Sequence, residues 1–415
     1  MQLVEKHNFK KDSQYYEILD RACFLSKNLY NITLFHIRQE FINNGKFLNY
    51  YSLQKKFQDE HQVDYCALPT KVSQKVMKSV DEAFRSFFNA NKAYKKDSSK
   101  FTGRPKIVKY KNKKNGRYML KYTYQAISKK VLENEGLIKL SGLEVYIKTN
   151  VKYNELCEVR VVPKVNSYMV EIVYNKVELE EKSDNDLYAA IDLGVDNFAT
   201  LVSNKKDFEP ILIDGRKVKS YNRFYNKELA RKKSKLEKRN KKKTSNGIKR
   251  LTEKRNNRMN DFIHKASRYI VNQLVSKGIN TLIVGHNKGW KQDINIGRAN
   301  NQNFVQLPYS EFINNLKYKC KLVGIKVIEQ EESYTSKCSF LDCEDICKHD
   351  KYMGRRIKRG LFKSSSGFII NSDVNGAYNI LRKCMPKVCS DGVGGAVVHP
   401  VRLNIDENGV FSEFH

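Results

Sequence analysis

Acidic residues are scarce in this chain, which has 45 Asp and Glu against 77 Lys and Arg among 415 residues. The formal charge of +32 costs free energy in a compact fold, because like charges repel one another. A polyanionic partner would relieve that repulsion. Nucleic acid fits this role best, since Lys and Arg release counterions when they bind phosphates.

Long apolar runs are also lacking, and no stretch of about 18 apolar residues is present to span a membrane. The opening residues, MQLVEKHNFKKD, carry charge where a secretory signal has an apolar core, so the sequence predicts a cytoplasmic protein. The nine cysteines are odd in number and scattered, which excludes a disulfide scaffold and favours a reduced, intracellular protein. Proline is also infrequent, and the 40% apolar content indicates a globular chain.

The periodicity of apolar residues predicts several folded parts. Residues 15–98 have the spacing of amphipathic helices, with Val72, Val76, Val80 and Phe84 on one face. From Tyr118 to Val177 the period becomes two, as in a small antiparallel barrel. A polar link, LEEKSDND, follows at residues 179–186. Strands then alternate with helices, which predicts an α/β unit with some parallel pairing.

The most basic stretch runs from Arg216 to Arg258, with 19 Lys or Arg and only 3 Glu. A solvated helix face would explain part of this charge. Such an excess favours contact with nucleic acid.

Two aspartates stand out in this basic background. Asp192 ends the apolar strand LYAAID, where a buried carboxylate is costly unless it has a partner. Asp373 opens the helix DVNGAYNILRK, where the helix dipole favours a negative charge. A turn and a helix cap would explain them separately. Taken together, they predict a site for hard divalent cations such as Mg²⁺, and phosphodiester hydrolysis of nucleic acid.

Three segments in order, AAIDLGVDNFATL, SYTSKC and INSDVNGAYNILRK, resemble the RuvC-type nuclease core of TnpB proteins. These are transposon-encoded relatives of the type V CRISPR effectors. The resemblance implies a multidomain α/β protein with an RNase H-fold nuclease core. It also implies RNA-guided, Mg²⁺-dependent cleavage of double-stranded DNA next to a short adjacent motif, with a guide RNA from the transposon end as partner and action at the prokaryotic nucleoid. In such proteins, base pairing between the guide RNA and the target DNA recognises the target sequence.

The domain boundaries are predicted from these patterns together. They are a β-barrel wedge domain at 1–14 and 99–183, a helical recognition domain at 15–98, a RuvC-like nuclease domain at 184–334 and 371–400, a target-binding insertion at 335–370 and a tail at 401–415.

The middle acid of the family is missing, because the segment LIVGHN has Gly285 at that position. The strand IKVIEQ should lie beside LIVG, and neighbouring strands are about 4.8 Å apart. A glutamate after that strand can then fill the gap, as the resemblance to TnpB branches and Fanzor proteins with a relocated acid implies. There the acid precedes a Thr-Ser pair by three residues, which selects Glu332. Glu331 is the alternative, because successive strand residues face opposite sides.

The resemblance implies that Asp192, Glu332 and Asp373 are the catalytic residues and hold two Mg²⁺ ions. One ion would activate water and the other would stabilise the leaving oxygen.

Four residues of the insertion have zinc-ligand chemistry: Cys338, Cys343, Cys347 and His349. Zinc sites usually contain tight cysteine pairs. Here no C-x-x-C is present, and the second pair usual in the family is absent. The sequence predicts an insertion without zinc, and the alternative is a zinc site built from these four residues.

Further contacts with nucleic acid are predicted from basic and aromatic residues in loops and basic helices. They are Arg104, Lys106, Arg216, Lys232, Lys233, Lys288, Trp290, Lys291 and Arg359. For Trp290, packing of its loop is the alternative.

Three other functions remain open at this point. Gly285 favours a nuclease-dead, RNA-guided DNA-binding regulator. An Asp-Asp-Glu transposase should have an acid where Gly285 lies. A plain RNA-binding protein explains the charge but leaves the carboxylates unexplained.

Overall fold

The fold divides into two units, Met1–Val177 and Glu178–His415. The computed structural model describes residues 1–240, 243–287, 306–386, 400–405, 409 and 411–413.

The helices of the first unit come from the stretch with helical periodicity and from one short segment further on. They are α1 (Tyr16–Asn44), α2 (Tyr50–Asp59), α3 (Val63–Cys66), α4 (Thr70–Lys96) and α5 (Lys129–Glu135). The strands are β1 (Gln2–Lys10), β2 (Leu120–Thr123), β3 (Leu137–Lys139), β4 (Tyr146–Lys148), β5 (Leu156–Pro163) and β6 (Ser167–Asn175). The predicted apolar face of α4 is buried, and its Val80 and Phe84 share a core with Leu29 and Leu34 of α1.

The strands of the predicted small antiparallel barrel do not form one continuous sheet. Four strands make an antiparallel sheet in the order β1-β6-β5-β2, while β3 and β4 pair only with each other among the described strands. Strands β3 and β4 are three residues each. Within the segment that joins them, Gly142 has a left-handed backbone (φ 72°). Such short strands offer few ladder hydrogen bonds, so they form a separate ribbon instead of closing the sheet.

The second unit contains the alternating strands and helices. Its strands are β7 (Tyr188–Asp192), β8 (Asn197–Ser203), β9 (Ile211–Asp214), β10 (Thr281–Gly285), β11 (Lys326–Gln330), β12 (Arg355–Lys358), β13 (Leu361–Lys363), β14 (Ile369–Asn371), β15 (Val401–Ile405) and β16 (Phe411–Glu413). Its described helices are α6 (Arg216–Asn240), α7 (Asn246–Ser276), α8 (Tyr309–Lys321) and α9 (Ser372–Cys384).

Seven strands form the central sheet, in the order β11-β10-β7-β8-β9-β15-β16. Strands β7, β8 and β9 are antiparallel, and β10 and β11 run parallel to β7. The predicted pairing of LIVG with IKVIEQ is confirmed, with Gly285 opposite Gln330. The carboxyl ends of β7, β10 and β11 therefore meet at one edge of the sheet.

Both faces of this sheet are covered. Apolar residues of α7 and α8, such as Ile263, Ile270 and Phe312, pack on one face. Val374 and Tyr378 of α9 pack on the other face. The buried strands are mostly apolar, as expected for strands that helices cover on both faces.

Two segments extend this unit. Strands β12, β13 and β14 form a small antiparallel sheet within the predicted insertion. The stretch predicted as a tail contributes β15, which pairs in parallel with β9, and β16. None of the described helices is long and apolar enough to cross a bilayer.

Leu282 lies at the centre of the sheet and is fully buried, with Ala189 and Val327 as its neighbours on the adjacent strands. We expect Leu282→Ala to lower the free energy of unfolding by about 2–5 kcal/mol, because it leaves a cavity. Urea unfolding followed by circular dichroism measures this loss. Leu179→Ala is the control, since Leu179 is 55% exposed. Equal losses in the two variants would contradict the burial of β10.

Candidate active site

Asp192 is the last residue of β7 and lies at the edge of the sheet where β10 and β11 also end. Gly376 of α9 allows its close approach, because a Cβ atom on Gly376 would lie 3.0 Å from Oδ2 of Asp192. Burial raises the pKa of Asp192 well above its usual range, and the charges of Asp373 and Glu332 raise it further. Arg356 opposes this rise. The three predicted acids therefore act on one another electrostatically.

Asp373 lies in the first turn of α9. The Asn371 side chain caps this helix and accepts a hydrogen bond from the Asp373 backbone N–H at 2.9 Å. The Asp373 carboxylate accepts a hydrogen bond from the Asn197 amide at 2.7 Å and lies 3.9 Å from the Arg356 guanidinium. It therefore has both a neutral and a charged partner, and the helix terminus also favours its charge.

Glu332 follows β11 by two residues, and its carboxylate lies over Gly285 of β10. A Cβ atom on Gly285 would lie 2.9 Å from Glu332 Oε2 and 2.5 Å from Cδ1 of Ile380. The Glu332 backbone N–H donates to Oδ1 of Asn287 at 3.1 Å, which ties this turn to the end of β10. Burial, followed by the charge of Glu331, raises the pKa of Glu332 to about 7, although Lys383 lowers it.

Glu331 has a different environment. Its carboxylate pairs with Lys383 at 2.6 Å and accepts a hydrogen bond from the Ser333 backbone N–H at 2.8 Å. Its side chain is 55% exposed. The hydrogen bond from Lys383 lowers the pKa of Glu331. Glu331 is thus held at the surface in an ion pair, whereas Glu332 contributes to the electrostatics of Asp192.

Asn197 and Asn287 were not singled out in the sequence. Asn197 begins β8, and Asn287 follows Gly285 by two residues. Tyr309 was also missed, and its hydroxyl donates to the Gly194 carbonyl oxygen at 2.6 Å. Burial raises the pKa of Tyr309, and Asp192 and Glu332 raise it further. The sequence contained one signal that could have identified the two asparagines: each is an amide residue close to the end of an apolar strand.

Arg356 was also missed, although it is the second residue of the basic segment RRIKRGLFKS. It lies in β12, and Arg359 follows in the turn before β13. Arg359, predicted to contact nucleic acid, forms an ion pair with Asp196. The turn of the insertion therefore reaches the loop after β7.

The four candidate zinc ligands do not converge as a set. Cys347 Sγ lies 3.3 Å from Nε2 of His349, while Cys338 Sγ points to the Cys347 carbonyl oxygen at 3.7 Å. Cys338 is buried, whereas Cys343 and Cys347 are exposed. In the part of the chain that the structure describes, no group of three or more His, Cys, Asp or Glu side chains could hold a metal ion.

The same result applies to Asp192, Glu332 and Asp373, which do not form such a group in this arrangement. All their donor atoms are carboxylate oxygens, which hard divalent cations prefer. Burial is the main cause of the raised pKa of both Asp192 and Glu332, and neighbouring carboxylates raise each pKa further, so a bound cation would favour their charged forms. These donors therefore fit Mg²⁺ by type and charge.

The other predicted nucleic-acid residues are distributed over both units. Arg104, Lys106, Arg216 and Lys233 are exposed, Lys232 is partly buried, and Arg216 also lies 3.7 Å from Asp214. Lys288, Trp290 and Lys291 lie outside the described residues.

The two glutamates should respond differently to pH. Burial favours the neutral form of Glu332, and its pKa is therefore raised from 4.5 to about 7. The metal-free protein should therefore lose stability as the pH rises through about 7. We expect Glu332→Gln to be more stable than the wild type at about pH 8, by at most roughly 3 kcal/mol, and nearly equal at about pH 4.5.

Thermal unfolding in a chelator measures this difference. Glu331→Gln is the matched control. It should show a clearly smaller gain at about pH 8, because it leaves Glu332 buried and also removes an ion pair with Lys383, although it relieves the repulsion between the two glutamates. An equal gain in both variants, or no gain in Glu332→Gln, would contradict the assignment of the buried glutamate.

Two family profiles match the chain. The OrfB_IS605 family, described as a probable transposase, matches residues 167–291. The Cas12f1-like TNB domain matches residues 309–380. The second match includes Glu332, Asp373 and the insertion.

Two curated proteins are similar over different lengths. The TnpB-like protein ORF457 of Acidianus two-tailed virus is 24% identical over 432 aligned residues, covering 94% of this chain and 88% of that protein. The CRISPR-associated endodeoxyribonuclease Cas12f1 of Sulfoacidibacillus thermotolerans is 30% identical over 149 residues, covering 35% of this chain and 32% of that protein.

Solved structures are similar at a lower level. The mini-RNA-guided endonuclease CRISPR-Cas_phi3 has a TM-score of 0.48 at 10% identity, covering 95% of this chain and 93% of that one. A Cas12f1-sgRNA-target DNA complex has a TM-score of 0.37 at 16% identity, covering 91% of this chain and 98% of that one.

Proposed function

Because the chain belongs to the TnpB family, we propose that it is an RNA-guided DNA endonuclease, encoded by a transposon, that cleaves DNA next to a short adjacent motif. In this proposal the second unit contains a RuvC-like nuclease core of RNase H fold. The sheet order supports it, since three antiparallel strands continue into two parallel ones. The first unit would provide the wedge and recognition regions.

The observation that carries the proposal is the position of the Glu332 carboxylate. It lies over Gly285, at the strand end where the family has its middle acid. It also raises the pKa of Asp192, together with Asp373. A relocated glutamate therefore compensates for the missing acid, and Glu332 fills this role better than Glu331, which pairs with Lys383.

Asp192, Glu332 and Asp373 would hold the two Mg²⁺ ions. Bound Mg²⁺ supplies Lewis-acid activation of water and stabilisation of the leaving oxygen. Asn197 orients the Asp373 carboxylate through its 2.7 Å hydrogen bond, and Asn287 fixes the backbone of Glu332. Because its pKa is raised to about 7, Glu332 must lose a proton before its carboxylate can bind a cation. Cleavage should therefore increase as the pH rises through about 7.

Guide RNA and target DNA are the partners in this proposal. The formal charge of +32 supports a polyanionic partner. The ion pair of Arg359 with Asp196 supports a role for the insertion close to the carboxylates, where a DNA strand would enter. The proposal assigns no role to zinc.

The test is cleavage of a target plasmid with Mg²⁺, using protein co-expressed with the noncoding RNA that flanks its gene. We expect Glu332→Ala to lower cleavage by at least about a hundred-fold, on the scale of losing one preorganised charged contact. Asp192→Asn and Asp373→Asn should do the same. Glu331→Ala is the matched control and should retain cleavage within about threefold, because its loss removes only a surface ion pair.

Binding of RNA and DNA, measured in a chelator, should persist in all these variants. Loss of cleavage in Glu331→Ala, with retention in Glu332→Ala, would reverse the assignment.

Gly285 supplies a second test, because two explanations of it differ. If glycine only marks a lost acid, Gly285→Ala should have no effect on cleavage. If glycine makes room for Glu332, a Cβ atom at 2.9 Å from Oε2 displaces that carboxylate. We expect the second result, with cleavage reduced by at least about tenfold and RNA binding unchanged. Unchanged cleavage would contradict the close approach of Glu332.

A nuclease-dead, RNA-guided DNA-binding regulator is the second candidate function. The absence of an acid at Gly285 favours it. A wild-type protein that binds its guided target but does not cut with Mg²⁺ would establish this function and overturn the proposal.

A further inference from the structure

A cavity of about 570 Å³ opens between α7 and α8 in the second unit. Its lining includes Lys265, Arg268 and Tyr269 of α7, together with Tyr318 and Lys319 of α8. Cationic and aromatic groups therefore surround the same space. This volume lies within the range of about 300–1,000 Å³ that is usual for ligand sites.

The cavity is distinct from the candidate active site. Tyr309, the first residue of α8, donates a hydrogen bond to Gly194, two residues after Asp192. Lys319 follows Tyr309 by ten residues, which corresponds to about 15 Å along a helix. The cavity therefore lies at the opposite end of α8 from the carboxylates.

Lys319 is the unusual group in this cavity, because it is only 3% exposed. Its ammonium group donates to the His264 carbonyl oxygen and to Oγ of Ser267, both at 2.7 Å. Both acceptors are neutral, and no carboxylate of the described ranges forms an ion pair with Lys319. Burial, together with the smaller effect of the Arg268 charge, lowers the pKa of Lys319 to about 8. A buried cation of this kind is unfavourable until an anion approaches it.

Arg268 adds a second cation to the same space. It is exposed, lies one turn from His264 on α7, and forms no ion pair with a carboxylate in the described part of the chain. Two cations without carboxylate partners would suit a phosphate, since guanidinium and ammonium groups both bind phosphate oxygens. The neighbouring tyrosines add surfaces on which a base can stack.

We propose that this cavity binds a nucleotide unit of a single-stranded nucleic acid, with its phosphate at Lys319 and Arg268. The phosphate supplies the counter-charge that Lys319 lacks among its described neighbours. The base lies against Tyr269 or Tyr318 at the wall of the cavity. This binding does not depend on cleavage by the carboxylates, so it can be tested whether or not the protein is a nuclease.

The test is the affinity for a fluorescent oligouridylate of about eight nucleotides, measured by anisotropy in a chelator at moderate salt. We expect Arg268→Ala to weaken binding about tenfold and to reduce the slope of log affinity against log salt by about 1. Lys319→Met should weaken binding at least as much. Lys277→Ala is the matched control, because it removes an exposed charge just after α7 and should change affinity less than about twofold.

Equal losses in Arg268→Ala and Lys277→Ala would overturn the proposal, because only general charge would then matter. Thermal unfolding checks that each variant is folded. If Lys319→Met does not fold, Arg268→Ala still tests the proposal, because Arg268 is exposed. Pyrophosphate distinguishes the source of the phosphate. If it stabilises the wild type but not Arg268→Ala, while both bind the oligonucleotide equally, the cavity binds small phosphates and the proposal is wrong.

Discussion

Repulsion among three carboxylates is the constraint on which the second unit depends. Asp192, Glu332 and Asp373 come from β7, the turn after β11 and the first turn of α9. Bringing them to one edge of a sheet raises the pKa of Asp192 through burial and mutual charge. Tight packing resists that repulsion: Gly285 and Gly376 leave no side chain between the carboxylates and the neighbouring backbone. The buried strands β7 and β10 fix the positions of these segments.

Adjacent glutamates show how local contacts decide the role of an acid in a basic protein. Glu331 pairs with Lys383 at the surface, and its pKa falls. Glu332, one residue later, lies over Gly285, and its pKa rises. A chain with an excess of Lys and Arg would be expected to neutralise most of its acids. Asp192 and Glu332 differ from Glu331 mainly in their burial, which raises the pKa of each.

Much of this site could be predicted from the sequence, because its signals are local. An acid at the end of an apolar strand identified Asp192, and an acid in the first turn of a helix identified Asp373. The pairing of β10 with β11 followed from strand-helix-strand order. The choice between Glu331 and Glu332 depends on the turn after β11. The alternation of side chains along a strand does not predict the geometry of that turn. Asn197 and Asn287 depend on contacts between distant segments, and the buried Lys319 depends on how α7 and α8 pack. The division of the predicted barrel strands into two sheets could not be predicted, because alternation identifies strands but not which of them pair.

The wide separation of the three acids along the chain also has a consequence during synthesis. A nascent chain that has emerged from the ribosome as far as β10 contains Asp192 but neither Glu332 nor Asp373. The last acid arrives with α9, after the insertion has been translated. Any chemistry that needs all three carboxylates is therefore withheld from incomplete chains, and premature termination yields fragments that lack the complete site.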